Sequence, residues 1–187
     1  MSSVWNERIG LIAYLAERSP TGWVGRTALM KYCYFLQALR RVPLRYNFSL
    51  YSYGPFDAAV LSDLGIAEAL GLVKEDVVAY QVGYGYQIRT AVSDKELRQF
   101  GGQLLHEHDK DADWVIGEFG NLNAADLELE STIVYTDREA YRSDEKLSIA
   151  ELSRRVRDVK PHFTKEKVVF HAESLRNKHL LQATQQQ

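Results

Sequence analysis

The sequence predicts a mainly α-helical chain with a small β component (α+β), and three observations carry that prediction. Apolar residues recur at helical spacing through most of the chain. Period-two alternation is confined to two places, around residues 48–53 and 77–91. Helix start and stop signals punctuate the intervals, notably Ser148-Ile149-Ala150-Glu151, Gly71 and Pro161. With 187 residues, 45% of them hydrophobic and 26% charged, the chain is long and apolar enough to bury a core and is not of disordered composition.

The elements follow in order. Val4 to Arg18 reads as a helix, with Trp5, Ile9, Ile12 and Ala16 on one face, and Ser19-Pro20-Thr21-Gly22 ends it. Gly25 to Arg41 reads as a second helix, with Leu29, Cys33 and Leu36 aligned and Pro43 at its exit. Phe48 to Tyr53 alternates and is aromatic, so it reads as a short strand. Gly54-Pro55 then opens a helix over Phe56–Leu70, because a proline's missing N–H has no partner in a first helical turn. Gly71 stops that helix. Val77–Val82 and Tyr86–Ala91 form a hairpin around Gly83-Tyr84-Gly85, with Val78, Tyr80 and Val82 on one face of its first strand and Tyr86 and Ile88 on one face of its second. A helix starts at Ser93 and runs to about His108, and an acidic one starts near Asp111–Asp113. Another spans Leu122–Thr136. Ser148 and Glu151 make a capping box for a helix that Pro161 ends, and Thr164 caps the last helix.

The expected organisation is a single domain over 1–181. It comprises a winged-helix-like part (1–92), an acidic helical part (93–147) and a helical hairpin (148–181), followed by a frayed polar tail at 182–187. The order helix, helix, strand, helix, hairpin is a winged-helix order, with Phe56–Leu70 in the recognition-helix place.

Charge excludes the simplest nucleic-acid binder, since the net charge is -2 and the pI about 6.2. Its distribution is uneven. Residues 1–47 carry seven basic and two acidic side chains, 48–147 eight basic and nineteen acidic, and 148–187 eight basic and four acidic. The basic ends are therefore expected to lie against the acidic middle, or to form faces of opposite sign. The start lacks a basic stretch followed by an apolar run, and no apolar run approaches the ~20 residues of a membrane span. The expectation is a cytoplasmic protein without membrane attachment. Cys33, the one cysteine, lies in an apolar helical pattern and reads as a small buried hydrophobe.

Several segments resemble a known family. Gly25-Arg26-Thr27-Ala28-Leu29-Met30-Lys31, followed by Tyr32-Cys33-Tyr34-Phe35, resembles the opening helix of Panacea-type (SocA-like) antitoxin domains and their YwgA-like relatives. Tyr51-Ser52-Tyr53-Gly54-Pro55-Phe56 is similar to that family's tyrosine-glycine-proline signature. Ala69-Leu70-Gly71-Leu72-Val73 and Val159-Lys160-Pro161-His162-Phe163-Thr164 are similar to the YwgA-like branch. The resemblance covers most of 24–75 and a patch near 148–180. It implies a mostly helical domain of a family in which some members are antitoxins that bind a partner toxin and many have no assigned activity, and the match is to the YwgA-like branch more than to antitoxins proper.

Of the candidate sites, DNA contact would fall to Arg26, Lys31, Arg40, Arg41 and Arg45. The recognition-helix equivalent argues against groove reading, since it carries Asp57, Asp63 and Glu68 and no cation. Eleven tyrosines form a second set. Tyrosine gives large contact area at low entropic cost, which suits a protein interface. Tyr53, Gly54, Pro55, Tyr80, Tyr84 and Tyr86 are the expected partner-binding residues, while Tyr34 and Tyr51 read as half-buried core. His106-Glu107-His108-Asp109-Lys110-Asp111-Ala112-Asp113 does not converge as a metal site on a helix and reads as a solvated acidic junction. Asp126, Glu128 and Glu130 are spaced by two, so a helix scatters them. No nucleophile elbow, phosphate loop or cofactor motif is present. His162, His171 and His179 are explained by packing or exposure. The expected function is a non-enzymatic, antitoxin-like or adaptor module that takes no cofactor or metal and binds a protein partner, a toxin or other basic protein. A DNA-binding regulator using the basic N-terminal residues is the second reading.

Overall fold

The structure, a computed structural model, describes residues 4–79 and 83–184, with side chains from Glu7 onward. Its elements are α1 (Val4–Glu17), α2 (Arg26–Leu39), β1 (Ser49–Tyr51), β2 (Gly54–Phe56), α3 (Ala58–Ala69), β3 (Val73–Ala79), β4 (Tyr84–Thr90), α4 (Asp94–Phe119), α5 (Ala124–Arg142), α6 (Ile149–Val159) and α7 (Lys165–Asn177). The fold is mainly α with two small two-stranded sheets, β1–β2 and the antiparallel β3–β4. The helical predominance and the β3–β4 hairpin are as the patterning predicts, whereas the pairing of β1 with a second strand at Gly54–Phe56 is not. The chain separates into two compact units. The first comprises 1–48 and 56–122, the second 49–55 and 123–187.

In the first unit α1 is buried from Ile9 to Ala16 and α2 from Leu29 to Leu36. These faces are wider than an amphipathic stripe, which marks both helices as core. Phe35 stacks on Phe119 of α4 at 3.9 Å between ring centroids. α1 and α4 touch at backbone distance, since a Cβ on Gly10 would lie 2.2 Å from the Gly101 nitrogen. Immediately beyond, Gly102 takes φ 51°, ψ -139° and breaks the helical ladder. Only glycine reaches that conformation without strain. The Glu7 carboxylate accepts the N–H of Leu104 there, at 3.2 Å. The sequence places a helix break at 109–111. The structure places it at Gly102, and 103–119 continues as one helix.

Two further boundaries differ from expectation. Pro55 belongs to β2, and the following helix starts from Asp57, whose side chain accepts the Ala59 N–H at 2.9 Å. An Asx N-cap thus takes the place assigned to proline at the first helical position. In the hairpin, Val77 pairs with Tyr86, Val78 with Gly85 and Ala79 with Tyr84. β3 therefore begins four residues before the expected start. Gly83 alone of the two glycines has positive φ, 91°, and Tyr84 opens β4 instead of sitting in the turn. Cross-strand partners share a face, so the face of Ile88 carries Val73 and Val77, and Val78 lies on the other.

In the second unit α5 is the central helix, buried from Leu127 to Val134. The capping box of Ser148 and Glu151 is present on α6, and Thr164 caps α7 by accepting the Lys167 N–H at 3.3 Å. Of the tail expected to fray, 182–184 are fixed in place, and 185–187 lie outside the described residues. Asp137, fully buried, accepts the N–H groups of Gln182, Ala183 and Thr184 at 2.7, 3.1 and 3.0 Å. The Leu147 N–H donates to the Ala183 carbonyl at 3.0 Å. A carboxylate that takes three backbone donors fixes a chain end that composition alone reads as loose.

Candidate functional site

The β3–β4 arm of the first unit has a pinned base and, among the described residues, exposed side chains beyond it. At the base, Val24 and Ile88 exchange two backbone hydrogen bonds of 2.9 Å, and the Ala91 N–H donates to Leu72. Val73 and Ile88 are buried. Arg26 lies across the middle of the same face. Its Nε donates to Glu75 Oε2 at 2.6 Å, its Nη2 reaches Glu75 Oε1, and its guanidinium stands 3.6 Å from the Tyr86 ring centre. The hydrogen bond to Glu75 raises the Arg26 pKa, so this cation keeps its charge. Beyond Arg26 the same face continues as Val77, Ala79 and Tyr84, with Val77 65% and Tyr84 80% exposed.

The outer edge of β4 is paired at Ile88 and flanked by Gly25 at the Tyr86 carbonyl, and beyond that it carries no backbone hydrogen bond among the described residues. Ile88 directs its N–H and C=O away from β3 toward Val24. In an antiparallel ladder that direction repeats every second residue, so Tyr86 and Tyr84 present theirs on the same side. Among the described residues no backbone group pairs with them there. Apolar side chains on one face and unpaired backbone groups on one edge are what an added strand engages.

The structure distributes the expected partner-binding residues unevenly. Tyr84 is exposed and Tyr86 half-buried under Arg26. Tyr80 lies outside the described residues. Gly54 and Pro55, of the second unit, are buried and offer no contact surface. A Cβ on Gly54, which has φ 87°, would meet Ser131 Oγ at 2.9 Å. The neighbouring Tyr53 is 69% exposed, and so is Tyr51, at 66%, where a core position was expected. Tyr34 is buried, as expected.

The five cations assigned to DNA do not form a phosphate-binding face. Lys31 is buried at 2% exposure. Arg26 is engaged by Glu75, and Arg40 pairs with Asp111 at 2.8 Å while covering Trp114. Only Arg41 and Arg45 are exposed without an ion pair among the described residues. The acidic junction is exposed at His106, Glu107, Lys110 and Asp113, as expected, and several of its acids are also paired. Asp113 accepts from the Tyr14 hydroxyl at 3.0 Å, Asp109 from Arg98 at 3.1 Å, and Asp111 lies 2.8 Å from His108 Nδ1. The Arg98 hydrogen bond holds the Asp109 carboxyl below its ordinary range.

In the second unit the spaced acids of α5 are gathered by partners on α7 and on the connection between α6 and α7. Lys160 Nζ lies 2.8 Å from Glu128, Lys167 Nζ 2.7 Å from Asp126, and His171 Nδ1 2.8 Å from Glu130. Sequence spacing correctly separates Glu128 from the other two. It misses that Asp126 and Glu130, four apart, both face His171, with Asp126 3.7 Å from its Nε2. Lys167 holds the Asp126 carboxyl below the ordinary aspartate value. A carboxyl depressed in the folded state stabilises the fold above its unfolded pKa of about 4, and that contribution disappears as pH falls through the folded value. Stability should therefore drop between pH 5 and pH 2. In Asp126→Asn the urea midpoint should fall less over that interval, and an equal or steeper fall would refute the assignment.

No group of three or more His, Cys, Asp or Glu side chains suited to a metal ion occurs among the described residues. Burial pushes the Cys33 thiol up to about 12, so it stays protonated and is no nucleophile. No helix among the described residues is long and apolar enough to cross a membrane. No protein-family model and no curated protein matches this sequence.

Proposed function

We propose that this chain is a non-enzymatic protein-interaction module of the cytoplasm, antitoxin-like or adaptor in character. It engages its partner through the β3–β4 arm. One observation carries this reading: the arm's inner face is buried at Val73 and Ile88 yet continues as exposed Val77, Ala79 and Tyr84 beside a strand edge that is unpaired there among the described residues. The occupant that fits is an extended segment of the partner, added alongside β4 with alternate apolar side chains against Tyr84 and Val77. The resemblance to Panacea-type domains supports the same class of function. Charge steering is a lesser contribution than the acidic middle suggests, since many of those carboxylates are neutralised by this chain's own arginines and lysines.

The test is a nuclease-treated native pull-down from the source cell with three baits: wild type, Tyr84→Ala and Val77→Asp. Tyr84 should behave as an interface anchor, so its truncation should cost about 2 kcal/mol of affinity, some thirty-fold. Folding stability should change by no more than about 0.5 kcal/mol, as for an exposed side chain. A photo-crosslinker at position 77 should label the same partner that Tyr84→Ala loses. Equal retention by all three baits, or a crosslink map elsewhere on the chain, would overturn the reading.

A further inference from the structure

A second recognition feature lies in the other unit, on α6 and the start of α7. A pocket of about 390 Å³ there is lined by Ser153, Arg154, Arg157, Asp158 and Lys165, with a short apolar rim. Three cations meet one acid in it, and that acid is already taken, since Asp158 accepts from Arg154 Nη1 at 3.1 Å. Arg157 and Lys165 form no ion pair among the described residues. Elsewhere in the molecule arginines and lysines are repeatedly spent on carboxylates, as at Arg40, Lys160 and Lys167. Two uncommitted cations facing one concavity are therefore unusual for this chain.

Two further features make the pocket more than a patch of surface charge. Lys165 is the first residue of a thirteen-residue helix, where unpaired N–H groups and the helix dipole favour an anion. Ser153 is 1% exposed, and its Oγ has no hydrogen-bond partner. A buried hydroxyl without a partner is unfavourable, and here it belongs to a residue that lines the pocket. An oxyanion would supply the missing partner.

We infer that this pocket binds a phosphoryl dianion, either inorganic phosphate or the phosphate of a small monoester. Arg157 and Lys165 supply the charge, Ser153 Oγ donates a hydrogen bond, and Arg154 is held at the rim by Asp158. Arginine matches phosphate oxygens with its fork of donors, and a doubly charged oxyanion uses two cations where chloride uses one.

The experiment is a titration of the full chain with inorganic phosphate and, separately, glycerol 3-phosphate. It is followed by calorimetry and by amide NMR shifts, with ionic strength held constant by sodium chloride. Saturable binding is expected, with shifts confined to the α6 end and the α7 start. Arg157→Ala/Lys165→Ala should weaken it at least ten-fold, and Ser153→Ala several-fold. Both cations are exposed, so the double variant should keep its far-UV spectrum. Arg157→Lys, which keeps the charge, should retain part of the affinity if the fold of the double variant is altered. Tighter binding of the ester assigns the pocket to a phosphomonoester, and tighter binding of phosphate assigns it to the free ion. No saturable binding, equal competition by chloride, or affinity unchanged in the double variant would overturn the inference.

Discussion

Asp63→Ala should cost the first unit about 3–5 kcal/mol, a large share of the stability of an ordinary domain. Asp63 sits on α3 at 1% exposure. Its Oδ2 lies 2.9 Å from Arg8 Nε of α1 and accepts from the Tyr46 hydroxyl at 2.8 Å. Arg8 also donates through Nη1 to the Leu44 carbonyl at 3.0 Å and stands 4.5 Å from the Tyr46 ring centre. One carboxylate thus joins α1, α3 and the connection after α2. Removing it leaves a nearly buried guanidinium without its counter-charge and a buried hydroxyl without its acceptor. Both are desolvation costs that nothing else repays. Burial is the first reason the Tyr46 hydroxyl titrates well above the ordinary tyrosine range, and the charge of Asp63 adds to it. Urea denaturation followed by far-UV circular dichroism measures the loss. Arg8→Met/Asp63→Leu should recover most of it, because an apolar pair of similar volume removes the orphaned charge. A loss under about 1 kcal/mol in Asp63→Ala would mean that Arg8 turns outward to water and that the cluster does not hold the unit together.

The same cluster shows what patterning reveals and what it hides. Helical spacing places α1, α2, α3 and α6 within two or three residues of their ends, and Thr164 marks the start of α7, because apolar periodicity and a capping or breaking residue are local signals. The uneven charge was legible too. Arg18 reaches Asp113, Arg40 reaches Asp111 and Arg26 reaches Glu75 within the first unit, while Lys160 and Lys167 reach Glu128 and Asp126 within the second. Which cation meets which acid was not legible, since that depends on tertiary distance. For this reason basic residues that look available for DNA in the sequence are mostly committed in the fold. The Gly102 break was hidden because a glycine within a helical pattern is ambiguous until a second helix presses against it. The anchored tail was hidden because its partner, Asp137, lies some forty-five residues earlier. For the interaction site, tyrosine content pointed to the arm. Its true register, and with it the continuous face from Ile88 to Tyr84, came only from the strand pairing.

Lys160→Met should cost the second unit about 3–5 kcal/mol, for a related reason with a different geometric consequence. Lys160 is 3% exposed in the connection after α6. Its ammonium lies 2.8 Å from Glu128 and donates to the carbonyls of Tyr51, at 3.1 Å, and of Ser52. With methionine there, Glu128 keeps, among the described residues, only His162 Nε2 at 3.5 Å, from a side chain that is 57% exposed. Two carbonyls of the β1–β2 turn also lose their donor. The two losses can be separated by a double-mutant cycle. Glu128→Met in the Lys160→Met background should restore most of the stability, because it removes the uncompensated carboxylate. It should not restore the turn, whose carbonyls still lack a cation. Hydrogen exchange at Tyr53 and Gly54 should therefore stay fast in the double variant while the global urea midpoint recovers. Recovery of both would show that the turn is held by Gly54 against Ser131 and by β1–β2 pairing alone. Recovery of neither would show that the Glu128 charge is not the source of the loss. The expected split makes Lys160 the residue that holds the Tyr51-to-Pro55 turn through the Tyr51 and Ser52 carbonyls, with Gly54 and Pro55 buried and Tyr51 and Tyr53 exposed.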